Sequence, residues 1–156
     1  MSAYTVELSR MEALTPAELY DVLKLRVDVF VVEQNCPYPE LDGKDSEALH
    51  LRLLDGDNLI AYARLFAPEK GDSAARIGRV IVAPSRRGEH LGPVLMDEAI
   101  TACERLYGDI AIEISAQSHL QRFYGRAGFV TTSEEYLEDG IPHVEMLRSP
   151  AGSIAS

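Results

Sequence analysis

The stretch from Arg76 to Ser115 constrains the fold of this chain more than any other. It opens as a strand, Arg76 to Val82, whose apolar end suits burial on both faces. A loop rich in arginine and glycine follows, Ala83 to His90 (A-P-S-R-R-G-E-H). Leu91, Val94, Leu95, Ala99, Ala102, Cys103 and Leu106 then form one helical stripe, and Asp109 to Ser115 alternates strictly, with Ile110, Ile112 and Ile114 on one face. A strand–helix–strand unit of this kind closes as a right-handed crossover with parallel strands. Its loop delivers backbone amides to a helix N-terminus, where the first amides lack helical partners and the dipole is positive, so the loop reads as an anion site.

The flanking segments decide what surrounds that unit. Thr15-Pro16-Ala17-Glu18 is a helix start, with Thr as the cap, Pro in the first turn and Glu three residues on. Leu19, Tyr20, Leu23, Val27, Phe30 and Val31 recur after it at helical spacing. Asn35 to Asp45, with two prolines and an Asp-Gly, is a loop. Ala48 to Leu54 and Leu59 to Phe66 flank Asp55-Gly56-Asp57-Asn58 as a hairpin, and Pro68 to Ser73 is a second polar loop. Gln117 to Ala127 reads as a short helix stopped by Gly128. A last hairpin, Val130 to Tyr136 and His143 to Leu147, turns at Glu138-Asp139-Gly140. The order helix, hairpin, strand, helix, strand, helix, hairpin predicts an α+β domain with a mixed, mostly antiparallel sheet flanked by helices. With 156 residues the chain is expected to form a single domain over 1–149, with 150–156 as a flexible C-terminal tail. A domain of that size buries about 70% of the surface its unfolded chain exposes and needs no staple.

The formal net charge of −10 opposes a nucleic-acid partner and permits a cationic substrate. Cys36 and Cys103 lie far apart without CxxC spacing, so a metal site is not expected and two idle thiols are. No signal-peptide core and no apolar run near 20 residues is present, which predicts a cytoplasmic protein with no membrane partner.

Two other phosphate-binding loops are opposed by the residues present. No Gly-Lys-Ser/Thr follows the glycine, against a Walker loop. Only Gly88 and Gly92 are available, in mid-chain, against a dinucleotide fingerprint. Val82-x-Pro84-x-x-Arg87-Gly88-x-x-x-Gly92 resembles instead the acyl-CoA signature of the GNAT superfamily of N-acetyltransferases. Phe123-Tyr124-Gly125-Arg126-Ala127-Gly128-Phe129, one helix and one strand later, resembles that superfamily's second signature. Glu33-Gln34-Asn35-Cys36-Pro37-Tyr38, Leu41-Asp42-Gly43-Lys44-Asp45, Ala116-Gln117-x-His119 and Glu138-Asp139-Gly140-Ile141-Pro142-His143 are similar to its ElaA branch, whose substrates are unsettled.

The resemblance implies a GNAT-type fold and acetyl-CoA as co-substrate. Val80, Ile81 and Val82 would present strand amides and carbonyls to the pantetheine arm, with an amide near Ile81 or Val82 meeting the oxyanion. Arg87, Gly88, Glu89, His90, Leu91 and Gly92 would cradle the diphosphate, and Gln117 would bond a pantetheine amide. Tyr124 would protonate the leaving thiolate. His90 occupies the place of the usual middle glycine, where a side chain restricts the backbone if φ is positive. No carboxylate lies on the strand before the loop, which leaves Glu113, His119 and His143 as candidate bases, with a water chain as the alternative. Glu40 and Asp42 are candidate partners for an ammonium group. The expected activity is acetyl-CoA-dependent N-acetylation of a small-molecule or peptide amine; the alternative is a non-catalytic acyl-CoA sensor or partner-binding module on the same fold. The sequence is compatible with a homodimer and does not choose an oligomeric state.

Overall fold

The computed structural model describes residues 3–70 and 72–150, so the expected tail lies outside the described residues from position 151 onward. In chain order the elements are β1 (Thr5–Arg10), α1 (Pro16–Val27), β2 (Leu49–Asp55), β3 (Asn58–Phe66), β4 (Ala74–Val82), α2 (Leu91–Tyr107), β5 (Ala111–Gln117), α3 (Gln121–Gly125), β6 (Val130–Thr131), β7 (Tyr136–Glu138) and β8 (Ile141–Arg148). One mixed sheet runs β1-β2-β3-β4-β5-β8-β6, with β7 also on β8. Only β4 and β5 are parallel; the other neighbours are antiparallel.

Alternation sorts each strand between two unlike faces. Leu51, Leu53, Ala61, Ala63, Leu65, Ala75, Ile77, Ile112, Ile114, Ala116, Val144 and Met146 form one apolar layer against Leu91, Leu95, Met96, Ala99, Ile100 and Cys103 of α2. The opposite face carries the residues between them: His50, Arg52, Tyr62, Arg64, Arg76, Glu113, Ser115, His143 and Glu145. There α1 and the turn after it lie over β3 and β4, where Val22 and Val29 pack on Tyr62 and Ile81.

The Thr15 capping box forms as expected: the Thr15 hydroxyl accepts from the Glu18 amide and the Glu18 carboxylate from the Thr15 amide. The predicted apolar stripe needs correction. Tyr20 is exposed, and the buried line is Val22, Arg26 and Val29. An arginine at the centre of the buried face, satisfied by ion pairs, breaks the apolar pattern. The helix continues through a π turn, Asp28–Glu33, which places Phe30 and Val31 off the 3.6-residue period. The sequence reading also lacked β1, an edge strand whose residues are mostly exposed. The last hairpin is broken into β6 and β7, and its turn is Asp139-Gly140, both left-handed at φ 51° and 77°.

β4 and β5 pair only through Ala74↔Ala111, Ala75↔Ile112 and Arg76↔Glu113, then diverge. The gap between them is the entrance to the site.

Candidate active site

A cleft of about 500 Å³ opens at this split. One wall is β4 from Ile77 to Val82; the other includes Ile114, Ser115 and Gln117 of β5. The π turn and the following loop, from Val29 to Glu40, close one side, and Glu138, Asp139, Ile141 and His143 of the last hairpin close the other. The expected strand residues Val80, Ile81 and Val82 therefore line the cleft together with Arg87, Gly92, Gln117, His119 and Tyr124.

The loop after β4 forms a short 3-10 turn, Pro84–Arg86, then reaches Gly88 at φ 92° and His90 at φ 60°, ψ 34°. His90 thus sits in the left-handed region where glycine is at ease, and it gives α2 no side-chain cap. The first turn of this 17-residue helix, Leu91-Gly92-Pro93, thus starts without a side-chain cap from His90. Gly88, Glu89, His90 and Leu91 lie beyond the cleft's lining, around the helix start, while Arg87 and Gly92 reach its mouth. The Arg87 guanidinium donates to Glu33 Oε2 across that mouth at 2.9 Å. Gly92 has a specific packing reason: a Cβ there would stand 3.0 Å from Phe123 Cε1.

Tyr124 is buried edge-on between Phe123 and Phe129, at centroid distances of 4.9 and 6.2 Å. Burial pushes its phenol up to about 12, so it stays protonated through neutral pH. Gln117 Nε2 donates to Gln34 Oε1 at 3.3 Å, which links β5 to the loop opposite.

The candidate bases separate. Glu113 lies outside the cleft's lining, on the half-covered face, ion-paired with Arg76 at 2.7 Å. His119 is exposed in the cleft. His143 is buried there, its Nδ1 2.7 Å from the Ile141 carbonyl and its Nε2 3.6 Å from Glu138. Glu40 and Asp42, the candidate ammonium partners, are already matched. Glu40 Oε2 accepts from Arg26 and Arg79, and Asp42 from Arg64 in a two-point pair at 3.0 and 2.8 Å.

Sequence reasoning missed this buried charge cluster. Arg26 also donates to Asp45 at 2.6 Å and Arg64 to the same oxygen at 3.1 Å. His50 Nδ1 meets the Tyr62 hydroxyl and its Nε2 the Asp45 carbonyl. The signal was a lone arginine inside an apolar segment, Arg26 in α1 and Arg64 in β3, which reads as surface unless its partners are known. Ser115 was also missed; its hydroxyl donates to Glu145, which also accepts from Tyr136. Cys36 Sγ donates to the Asp139 carbonyl at 3.3 Å and joins the two sides of the cleft.

Among the described residues no group of His, Cys, Asp and Glu is arranged to hold a metal ion, and no helix is long and apolar enough to cross a membrane.

Residues 19–149 match the family model described as an acetyltransferase (GNAT) domain. The chain is 43% identical over 137 residues to protein ElaA of Escherichia coli K12, covering 86% of this chain and 90% of that one. The crystal structure of that ElaA superposes with a TM-score of 0.87, covering 94% of this chain and 100% of that one. An acyl-CoA N-acyltransferase from Pseudomonas aeruginosa superposes with a TM-score of 0.88 at 45% identity, over 94% of this chain and 100% of that one. A cleft between diverging parallel strands, a left-handed loop opening a long helix and a sequence match over most of its length agree: this chain belongs to the GNAT acyltransferase family, in its ElaA-like branch.

Proposed function

We propose that the protein transfers an acetyl group from acetyl-CoA to a primary amine, by direct attack of the amine on the thioester. The observation that carries this reading is the split between β4 and β5, with the uncapped start of α2 at one end and Tyr124 in its lining. The pantetheine arm has the dimensions of an added strand and would lie along Ile77 to Val82, with Gln117 opposite. The diphosphate would meet the amides from Gly88 to Gly92 and the Arg87 guanidinium, which would then leave Glu33. The left-handed His90 keeps the loop open toward these amides at some conformational cost.

In the reaction the amine nitrogen bonds to the thioester carbon, the oxyanion is met by an amide near Ile81 or Val82, and the C–S bond then breaks. Tyr124 protonates the thiolate; its raised pKa keeps the proton available. His119 and His143 stand in the cleft as groups that can take the amine's proton, whereas Glu113 faces Arg76 outside it. Holding both reactants in one cleft supplies much of the rate. A homodimer and a cytoplasmic location are proposed from the same reading of the chain.

Calorimetry with acetyl-CoA, followed by thiol release on a panel of primary amines, tests the proposal. Micromolar-range binding with release on at least one amine is expected. Absence of acyl-CoA binding overturns it, and binding without transfer to any amine favours a sensor.

A further inference from the structure

The most unusual backbone in the cleft is in β4. Tyr62 pairs with Ile81 and Arg64 with Gly78, so Ala63 faces two residues, Arg79 and Val80. This is a bulge, and a bulge bends its strand and sharpens its twist. It begins three residues after the last β4–β5 pair, Arg76↔Glu113, and so lies where the two strands part. Its first residue, Arg79, is left-handed at φ 52°. A long side chain in that region carries strain that persists only where the surroundings fix it.

The surroundings here are specific. Arg79 Nε donates to Glu40 Oε2 at 2.6 Å, and its guanidinium lies over Phe30, 5.8 Å from the ring centroid. Asp42, at 3.7 Å, is too far for a hydrogen bond. The same Glu40 oxygen accepts from Arg26 Nε at 2.9 Å, and Arg26 also donates to the Glu40 carbonyl at 3.3 Å. The Glu40 side chain is 8% exposed and that of Arg26 fully buried, so water screens this bridge little. Arg26 is in turn anchored to Asp45.

We infer that Glu40 is a positioning residue. By bridging Arg26 and Arg79 it fastens the left-handed bulge, and the bulge turns β4 away from β5 to admit the acyl-CoA arm. This deepens the acyl-CoA reading and rests on it for the ligand. If Glu40 served only to fold the 35–45 loop, glycine at position 79 would not compensate its loss. If it fastens the bulge, glycine would, because glycine takes φ 52° without strain and brings no guanidinium to position 79 that needs Glu40.

Calorimetric titration of CoA into wild type, Glu40→Ala, Arg79→Gly and the double variant tests this, with thermal melts to verify folding. Glu40→Ala is expected to weaken CoA about tenfold, the order of effect that one strained residue supports. Arg79→Gly and the double variant should bind within about twofold of wild type. Glu40→Ala binding like wild type, a double variant as weak as Glu40→Ala, or failure of Arg79→Gly alone would each overturn the inference. Should Glu40→Ala not fold, Glu40→Gln takes its place with the same ordering. Amide hydrogen exchange of the ligand-free protein separates the two readings. Faster exchange at Val80 and Ile81 in the Glu40 variant, reversed by glycine at 79, supports the fastened bulge even if wild type fails to bind CoA, in which case the acyl-CoA reading alone falls. Unchanged exchange overturns the inference whatever binds.

Discussion

The two walls of the polar face are built from the same residue types and behave as different materials. On the α1 side, Arg26, Arg64 and Arg79 meet Glu40, Asp42 and Asp45 beneath a helix and a loop. On the β5–β8 side, Arg76 meets Glu113 and Glu145 in contact with solvent; the Arg76 and Glu113 side chains are 41% and 45% exposed. Buried charges are costly to desolvate and costlier to leave unpaired, so the first wall is held to the arrangement in which each of its charges has a partner. Exposed pairs contribute little and re-form freely with water and ions. One wall is therefore fixed, and the other adaptable.

The difference breaks most visibly at Arg26. Arg26→Ala leaves Glu40 and Asp45 without their buried partner and is expected to destabilise the fold by about 3–5 kcal/mol, read by urea unfolding. The same wall should set the acid limit. The Arg64 hydrogen bonds hold the Asp42 carboxyl well below the usual carboxylate range. At Asp45 burial alone would raise the carboxyl, but the Arg26 and Arg64 bonds outweigh it and lower it. Both pKa values are depressed on folding, so their stabilisation is complete at neutral pH and fades as pH falls below about 4. Urea midpoints between pH 7 and pH 3 should fall over that window, and Asp42→Asn should flatten the fall.

Tyr124 tests whether chemistry depends on either wall, since it stands among aromatics at neither. Tyr124→Phe should lower turnover about 100-fold while CoA affinity stays within about twofold, in steady-state kinetics beside calorimetry. At the cleft mouth, Glu33→Gln removes the exposed competitor for Arg87. CoA should bind up to about fivefold tighter, and the gain should vanish in an Arg87→Ala background. Least is expected from Glu113→Gln on the adaptable wall, with unfolding stability changed by less than about 0.5 kcal/mol. A loss above 2 kcal/mol there would erase the contrast.

How much of this was readable in the chain follows the same division. The Thr15 box, the Ile112–Ile114 alternation, the Asp-Gly turns and the strand–loop–helix of the cofactor side are local patterns, and each folds as read. The two family signatures added the cleft's lining. The buried wall was not readable, because its partners are 14 to 39 residues apart and no local rule separates Arg26 from a surface arginine. The π turn escaped for a related reason: no local pattern marks the residue it inserts into the helical period, and Phe30 and Val31 leave the expected stripe there. The bulge was hidden too, since Arg79 is an unlikely residue by propensity for φ 52° and only tertiary contacts explain it.

Gly92 joins the two signatures in space. With Phe123 Cε1 only 3.0 Å from where its Cβ would be, the glycine of the first motif and the aromatic of the second occupy one shared volume. They are two halves of a single lock. A larger residue at position 92 or a bulkier ring at 123 would press on the other motif, which would have to yield by a few tenths of an ångström to admit it.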